Sequence, residues 1–255
     1  MIDFFIAGVQ KGGTTALHSI LGGHPELSMV TKKEPHFFDD EARDWRCPDY
    51  SELEQYCRGD DGRLKGSATP IYTYWPNSLE RVRAYNRQAK LIVLLRHPSL
   101  RAYSHWRMES ARGWDTLSFK QAIGRKGRAR VVRSPGGVHR VFSYVERGFY
   151  AAQAERIYAL FSPSQILFLR TDFLWLQPAE TLARIEDFLG ISRVLKPVAQ
   201  YVTPVQSRRT QGLSARLRLK LDTIFASDIA RTANLTGLDL EDWLQADYSE
   251  PMRQG

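Results

Sequence analysis

Cysteine is scarce. Cys47 and Cys57 are the two in 255 residues, and neither has a histidine close by in the sequence. This excludes a disulfide-built scaffold and offers no zinc-ligand spacing, so the expectation is two ordinary thiols and no metal site. Long apolar runs are missing as well. Stretches such as "LIVLL" at 91–95 fall far short of the roughly 20 residues that cross a bilayer. The opening "MIDFF" is not a basic stretch followed by an apolar core, so no secretory leader is expected and the expected location is cytoplasmic. Internal repeats and low-complexity linkers are lacking too. One domain over residues 1–255 is the simplest organisation.

Positive charge, by contrast, is in excess. The formal net charge is +8, on a chain that is 43% hydrophobic and 25% charged. The balance is that of a globular protein long enough to bury a sizeable core. The excess favours anionic partners: nucleotides, sulfated or phosphorylated sugars, nucleic acid or an anionic membrane surface. Composition does not choose among them, and it leaves the oligomeric state open.

Hydrophobic patterning organises the chain into strands alternating with helices. "DFFIAG" (3–8) is continuously apolar and reads as a buried strand stopped by Gly8. Thr14 or Thr15 opens a helix through "TALHSIL", which ends before Gly22, Gly23 and Pro25. "KLIVLL" (90–95) is a second strand, followed from about Ser99 by a helix carrying Tyr103, Trp106 and Arg107. "QILFL" (165–169) is another strand, and "PAETLARIEDFLGI" (178–191) an amphipathic helix. Leu213, Leu217, Leu221 and Ile224 recur at the spacing of a core-facing helix, a membrane-binding face being the alternative. The basic stretch 124–140 reads as a long surface loop or broken helix. Such alternation argues for an α/β fold: a P-loop-like parallel sheet flanked by helices on both faces, in a single domain.

The first strand-to-helix turn carries "QKGGTT" (10–15). Backbone N–H groups at a helix start attract an anion, glycines let the backbone approach it, Lys11 adds charge, and Thr14 and Thr15 add hydroxyls. The order is not that of the ATP-binding loop, in which lysine follows the glycines and directly precedes the hydroxyl residue. A P-loop kinase would also need an acid at a strand end for magnesium, whereas "KLIVLL" runs into Arg96. A nucleic-acid-binding module is suggested by the charge and by "RKGRARVVR", but no aromatic or helix-turn-helix pattern accompanies them.

Three ordered motifs narrow the reading: "VQKGGTT", "KKEPHFFDD" (32–40) and "LIVLLRHPSLRAYSHW" (91–106). Together they resemble the PAPS-dependent sulfotransferases, specifically the heparan-sulfate 3-O-sulfotransferase type and its bacterial relatives. The likeness continues through "DTLSFKQAI", "YVERGFYAAQAERI" and "GLDLEDWL", over nearly the whole chain. It implies that Lys11, Gly12, Gly13, Thr14 and Thr15 grip the 5′-phosphosulfate of PAPS (3′-phosphoadenosine 5′-phosphosulfate). It makes Glu34 the catalytic base, and Arg96 with Ser104 the 3′-phosphate binders. Arg208 and Arg209 fall where the family's late phosphate- and adenine-binding loop lies. Asp39 is expected to support the site, and Tyr72, Tyr74 and Trp75 either line the acceptor cleft or pack.

His36 competes with Glu34 for the base, since imidazole accepts protons near neutral pH. One departure stands out. Where eukaryotic members carry a lysine that reaches the reacting sulfate, this chain has Ala68, with Lys65, Arg208 or Arg209 as possible replacements. The implied activity is sulfuryl transfer from PAPS, leaving 3′,5′-ADP, to a hydroxyl or else an amine of a carbohydrate or other small polar acceptor. That acceptor could be anionic, drawn in by Arg125, Lys126, Arg128, Arg130 and Arg133.

Overall fold

The computed structural model describes residues 1–57, 59, 62–196 and 212–250. In chain order its first half contains β1 (Phe4–Gly8), α1 (Thr14–Leu21), β2 (Leu27–Met29), α2 (Ser51–Glu54), β3 (Leu64–Ala68), α3 (Ser78–Tyr85) and β4 (Lys90–Leu95). Then follow α4 (Pro98–Ala111), α5 (Phe119–Ala122), α6 (Arg125–Val132), α7 (Tyr150–Leu160), β5 (Ile166–Arg170), α8 (Phe173–Leu176), α9 (Pro178–Leu189) and α10 (Ala215–Thr236). The chain packs as two compact units, each drawn from two stretches: Met1–Leu95 with Arg156–Val202, and Arg96–Glu155 with Thr203–Gly255.

The first unit holds the sheet, in the order β2-β3-β1-β4-β5, with every pairing parallel. The strand built from "FFIAG" is central because it is apolar on both faces. Its side chains alternate. Phe4 and Ile6 join an aliphatic core with Leu17, Ile20 and Leu21 of α1 and Leu182, Ile185 and Leu189 of α9. Phe5 points the other way, edge-on to Phe38 at 5.8 Å, and Phe38 in turn packs on Tyr72 (5.6 Å) and on Tyr85 of α3 (5.5 Å). Helices therefore cover an aliphatic face and an aromatic one, as the α/β reading requires.

Strand order places the key turn. From β1 the chain moves outward on one side to β2 and β3, then crosses back to β4 on the other. The loop after β1 thus lies at the carboxyl ends of the strands where the winding reverses, the position at which open α/β sheets bind ligands.

The second unit is helical. On α10, Leu221, Phe225, Ile229 and Thr232 are buried, spaced as one face of a helix. This stripe lies against α4. Gly148 is there because a Cβ would come within 2.6 Å of the Phe225 ring. Asp228 caps the start of α7, accepting from the Tyr150 N–H at 2.7 Å. The stretch 124–140 contains α6, two turns long, and so resolves as a broken helix.

Candidate functional site

The turn between β1 and α1 is made by its backbone. Val9 N–H donates to Leu94 O (3.0 Å) and Gly12 N–H to Val9 O (2.8 Å). Thr171, just beyond β5, donates its hydroxyl to Gly12 O at 2.7 Å. Gly12 leaves no room for a side chain, since a Cβ would stand 2.7 Å from Leu94 O and 2.8 Å from Val9 O. Gly13 adopts φ 82°, a left-handed conformation that glycine takes without steric cost, and α1 begins directly after it. Lys11 shares that region at φ 68°. No side chain caps α1, which leaves the amides of its first turn as donors suited to an anion. Thr14 is buried and Thr15 exposed. These features fit a phosphate or phosphosulfate group.

The segment after β2 reaches the same end of the sheet. Glu34 N–H donates to the carbonyl of Ala68, the last residue of β3, at 3.0 Å, and Ala68 is paired in register with Ile6 of β1. Phe37 and Phe38, both buried, wedge the segment into the aromatic face, and Ser78 and Arg81 hold the Phe38 carbonyl at 3.2 and 2.9 Å. Glu34 and His36 both take positive φ, 54° and 55°. With packing on one side and a β-type hydrogen bond on the other, the two polar side chains project together.

Their contacts assign distinct electrostatic states. His36 Nδ1 lies 2.9 Å from Asp39 Oδ2, and its Nε2 lies 3.7 Å from Glu34 Oε2. The Asp39 side chain is fully buried. Asp39 and then Glu34 raise the imidazole to about 9, against the opposing effect of burial. Burial pushes the Glu34 carboxyl up, but the His36 imidazolium and the Lys33 ammonium outweigh it and bring the group down to about 2. Lys33 Nζ donates to Glu34 Oε1 at 2.8 Å. At neutral pH Glu34 is thus ionised, while His36 is protonated and acts as a donor.

Lys33 is the residue that sequence reasoning passed over. A lysine beside an acid in the sequence carries no signal of direction. Lys65 sits early in β3, paired with Ser28, three residues or about 10 Å of strand before the Ala68 carbonyl that meets Glu34. Lys33 is the lysine in contact with Glu34. His18 on α1 feels the same charges: burial lowers its pKa first, Lys33 lowers it further, and Glu34 raises it.

Tyr72 is fully buried in the aromatic face and is a packing residue. The Trp75 indole donates to Glu41 at 2.9 Å, and Arg156 binds the carbonyls of Tyr72, Thr73 and Trp75 at 3.0–3.1 Å, fixing this turn.

In the second unit, Arg96 and Ser104 flank the start of α4, with Ser104 half-buried at the end of its second turn. The Arg96 carbonyl accepts from the Tyr150 hydroxyl at 2.7 Å, and its guanidinium is paired with Glu250. Of the basic residues around α6, Arg128 pairs with Glu146, and Arg130 with Asp115. Arg125, Lys126 and Arg133 are exposed. Arg208 and Arg209 lie outside the described residues.

Comparison with known proteins identifies the family. Residues 1–231 match the sulfotransferase domain model. Heparan sulfate glucosamine 3-O-sulfotransferase 3B1 of Homo sapiens is 33% identical over 193 residues, 74% of this chain and 46% of that protein. The membrane-associated sulfotransferase kil1 of Dictyostelium discoideum is 35% identical over 107 residues, 41% of this chain and 22% of that protein. The chain therefore spans less than half the length of these curated relatives. Among solved structures, a sulfotransferase from Alicyclobacillus acidocaldarius superposes with a TM-score of 0.80 at 25% identity, covering 96% of this chain and 99% of that one. With its β1 loop, its parallel sheet and nearly its whole length matched, this chain belongs to the sulfotransferase domain family.

Proposed function

We propose that the protein transfers the sulfuryl group of PAPS to a hydroxyl, or else an amine, of a carbohydrate acceptor. The observation that carries this is the pairing, at one end of one sheet, of an uncapped α1 preceded by "KGGTT" with an ionised Glu34 flanked by two cations. The family assignment favours this reading over the kinase one. Names among the curated relatives point to a sugar hydroxyl as acceptor.

PAPS, when bound, supplies the activated sulfuryl group. The chain's own work is positioning and charge. The amides of residues 13–15 and Lys11 hold the 5′-phosphate and stabilise the negative charge that builds there as the sulfur–oxygen bond breaks. Glu34 takes the proton of the attacking hydroxyl. His36, kept cationic by Asp39, holds the Glu34 carboxylate in place. Lys33 keeps the same carboxylate ionised and fixed from its other oxygen. Arg96 and Ser104 bind the 3′-phosphate, the guanidinium through its planar fork. Arg125, Lys126 and Arg133 steer an anionic acceptor. Cationic side chains and backbone dipoles do the neutralising, so activity should persist in EDTA.

Incubation with ³⁵S-labelled PAPS and a panel of glycans, amines and small alcohols tests the reading. Label should pass to a carbohydrate. Transfer to none of them, from protein that binds 3′,5′-ADP, would refute it.

A further inference from the structure

The mechanism leaves one strong contact unused. Arg96 Nε donates to Glu250 Oε1 and Arg96 Nη2 to Glu250 Oε2, both at 2.5 Å, a two-pronged pair in which each side chain is about a quarter exposed or less (22% and 26%). This is the fork-to-fork geometry that the same edge of a guanidinium offers a phosphate. The partner comes from 154 residues away.

The segment that delivers Glu250 is largely exposed. After the buried Trp243, residues 244, 245, 246, 247 and 249 are exposed, and Tyr248 and Glu250 are half-buried. Tyr248 stacks on His97, centroids 5.0 Å apart and planes 18° from parallel. His97 itself is anchored in the fully buried interior: its Nε2 lies 3.0 Å from Trp243 O and 3.1 Å from Arg218 Nη2. The two inward-facing residues of the segment thus fall on two consecutive residues, Arg96 and His97, through one aromatic stack and one ion pair.

We infer that Glu250 is a displaceable internal anion, standing in at Arg96 for the 3′-phosphate of the nucleotide. The inference rests on the proposed role of Arg96. A ribose 3′-phosphate carries close to two negative charges near neutral pH and three acceptor oxygens, against one charge and two oxygens for a carboxylate. The phosphate therefore replaces Glu250 and releases the segment around Tyr248. On departure of the product the carboxylate returns. Glu250 weakens binding of every 3′-phosphorylated nucleotide and hastens product release, a step that often limits turnover. A nucleotide without a 3′-phosphate leaves the Arg96–Glu250 pair intact.

Calorimetry with 3′,5′-ADP and 5′-AMP on the wild type, Glu250→Gln, Glu250→Ala and Arg96→Ala tests this. Both Glu250 variants should bind 3′,5′-ADP about tenfold more tightly, the scale of one charge-assisted contact, and 5′-AMP unchanged. Hydrogen exchange of residues 244–250 in the wild type should rise on adding 3′,5′-ADP and not on adding 5′-AMP. Unchanged or weaker 3′,5′-ADP binding by both Glu250 variants, with Arg96→Ala still losing it, overturns the inference and leaves the role of Arg96 standing. If Arg96→Ala binds 3′,5′-ADP like the wild type, the reading of Arg96 itself is wrong and the inference falls with it.

Discussion

The two halves of the candidate site in the sheet unit are built from different materials. The loop of residues 9–15 is made of backbone: its contacts run from amides and to carbonyls, and a glycine is required where a methyl group would collide with Leu94 O. The segment 33–39 is made of side chains, in which a lysine, a glutamate, a histidine and a buried aspartate set each other's charge. A backbone site tolerates changes of side-chain chemistry and fails when the chain cannot come close. A side-chain site tolerates small changes of shape and fails when one charge is lost.

Isosteric loss of charge gives the sharpest contrast. Glu34→Gln keeps volume and removes the proton acceptor, so turnover should fall by roughly 10²–10⁴-fold while 3′,5′-ADP binding is kept. His36→Asn should cost less, because its role is exerted through Glu34. The reverse order, measured as sulfuryl-transfer rates on the two variants, would make His36 the base.

The complementary change adds atoms and no charge. Gly12→Ala places a Cβ 2.7 Å from one backbone oxygen and 2.8 Å from another, neither at the end of a flexible side chain. Overpacking of this kind costs about 1–3 kcal/mol, read by denaturant melting. Nucleotide binding should weaken along with it, unlike in Glu34→Gln. Wild-type stability and binding in Gly12→Ala would mean that the loop is not held by close backbone approach.

How much of this was legible in the sequence follows the same division. The β1 strand, its loop and α1 could be read directly, because apolar run, glycines and helix start are consecutive and each acts locally. β4, β5 and α9 were equally plain. β2 was not, at three residues too short to show a period. Within "KKEPHFFDD" the sequence offered two candidate bases without ranking them by charge. The ranking comes from Asp39, whose burial beneath the aromatic wedge is a property of packing. Contacts across long separations were invisible: nothing near Arg96 announces Glu250, and nothing near Phe38 announces Arg81.

A smaller effect separates the partners within the side-chain site. Because His36 is raised to about 9 in the folded protein from an ordinary 6.5, its contribution to stability is fully present below 6.5 and is lost as pH rises through 9. Glu34 is the mirror case, contributing above its ordinary 4.5 and losing that contribution as pH falls through about 2. Melting curves of the wild type should therefore lose stability between pH 6.5 and 9, and His36→Asn should lack that slope. An identical slope in both would assign it to other groups.

The central claim is that the resting site keeps its proton on His36 and leaves Glu34 as the acceptor. Direct titration of the His36 ring by nuclear magnetic resonance tests it, with Glu34→Gln and Asp39→Asn as references. The wild-type imidazole should remain protonated through neutral pH and titrate near 9. Asp39→Asn should lower that midpoint most, and Glu34→Gln should lower it less. A midpoint at or below the ordinary 6.5 would contradict the account, leaving His36 neutral and free to take the acceptor proton itself.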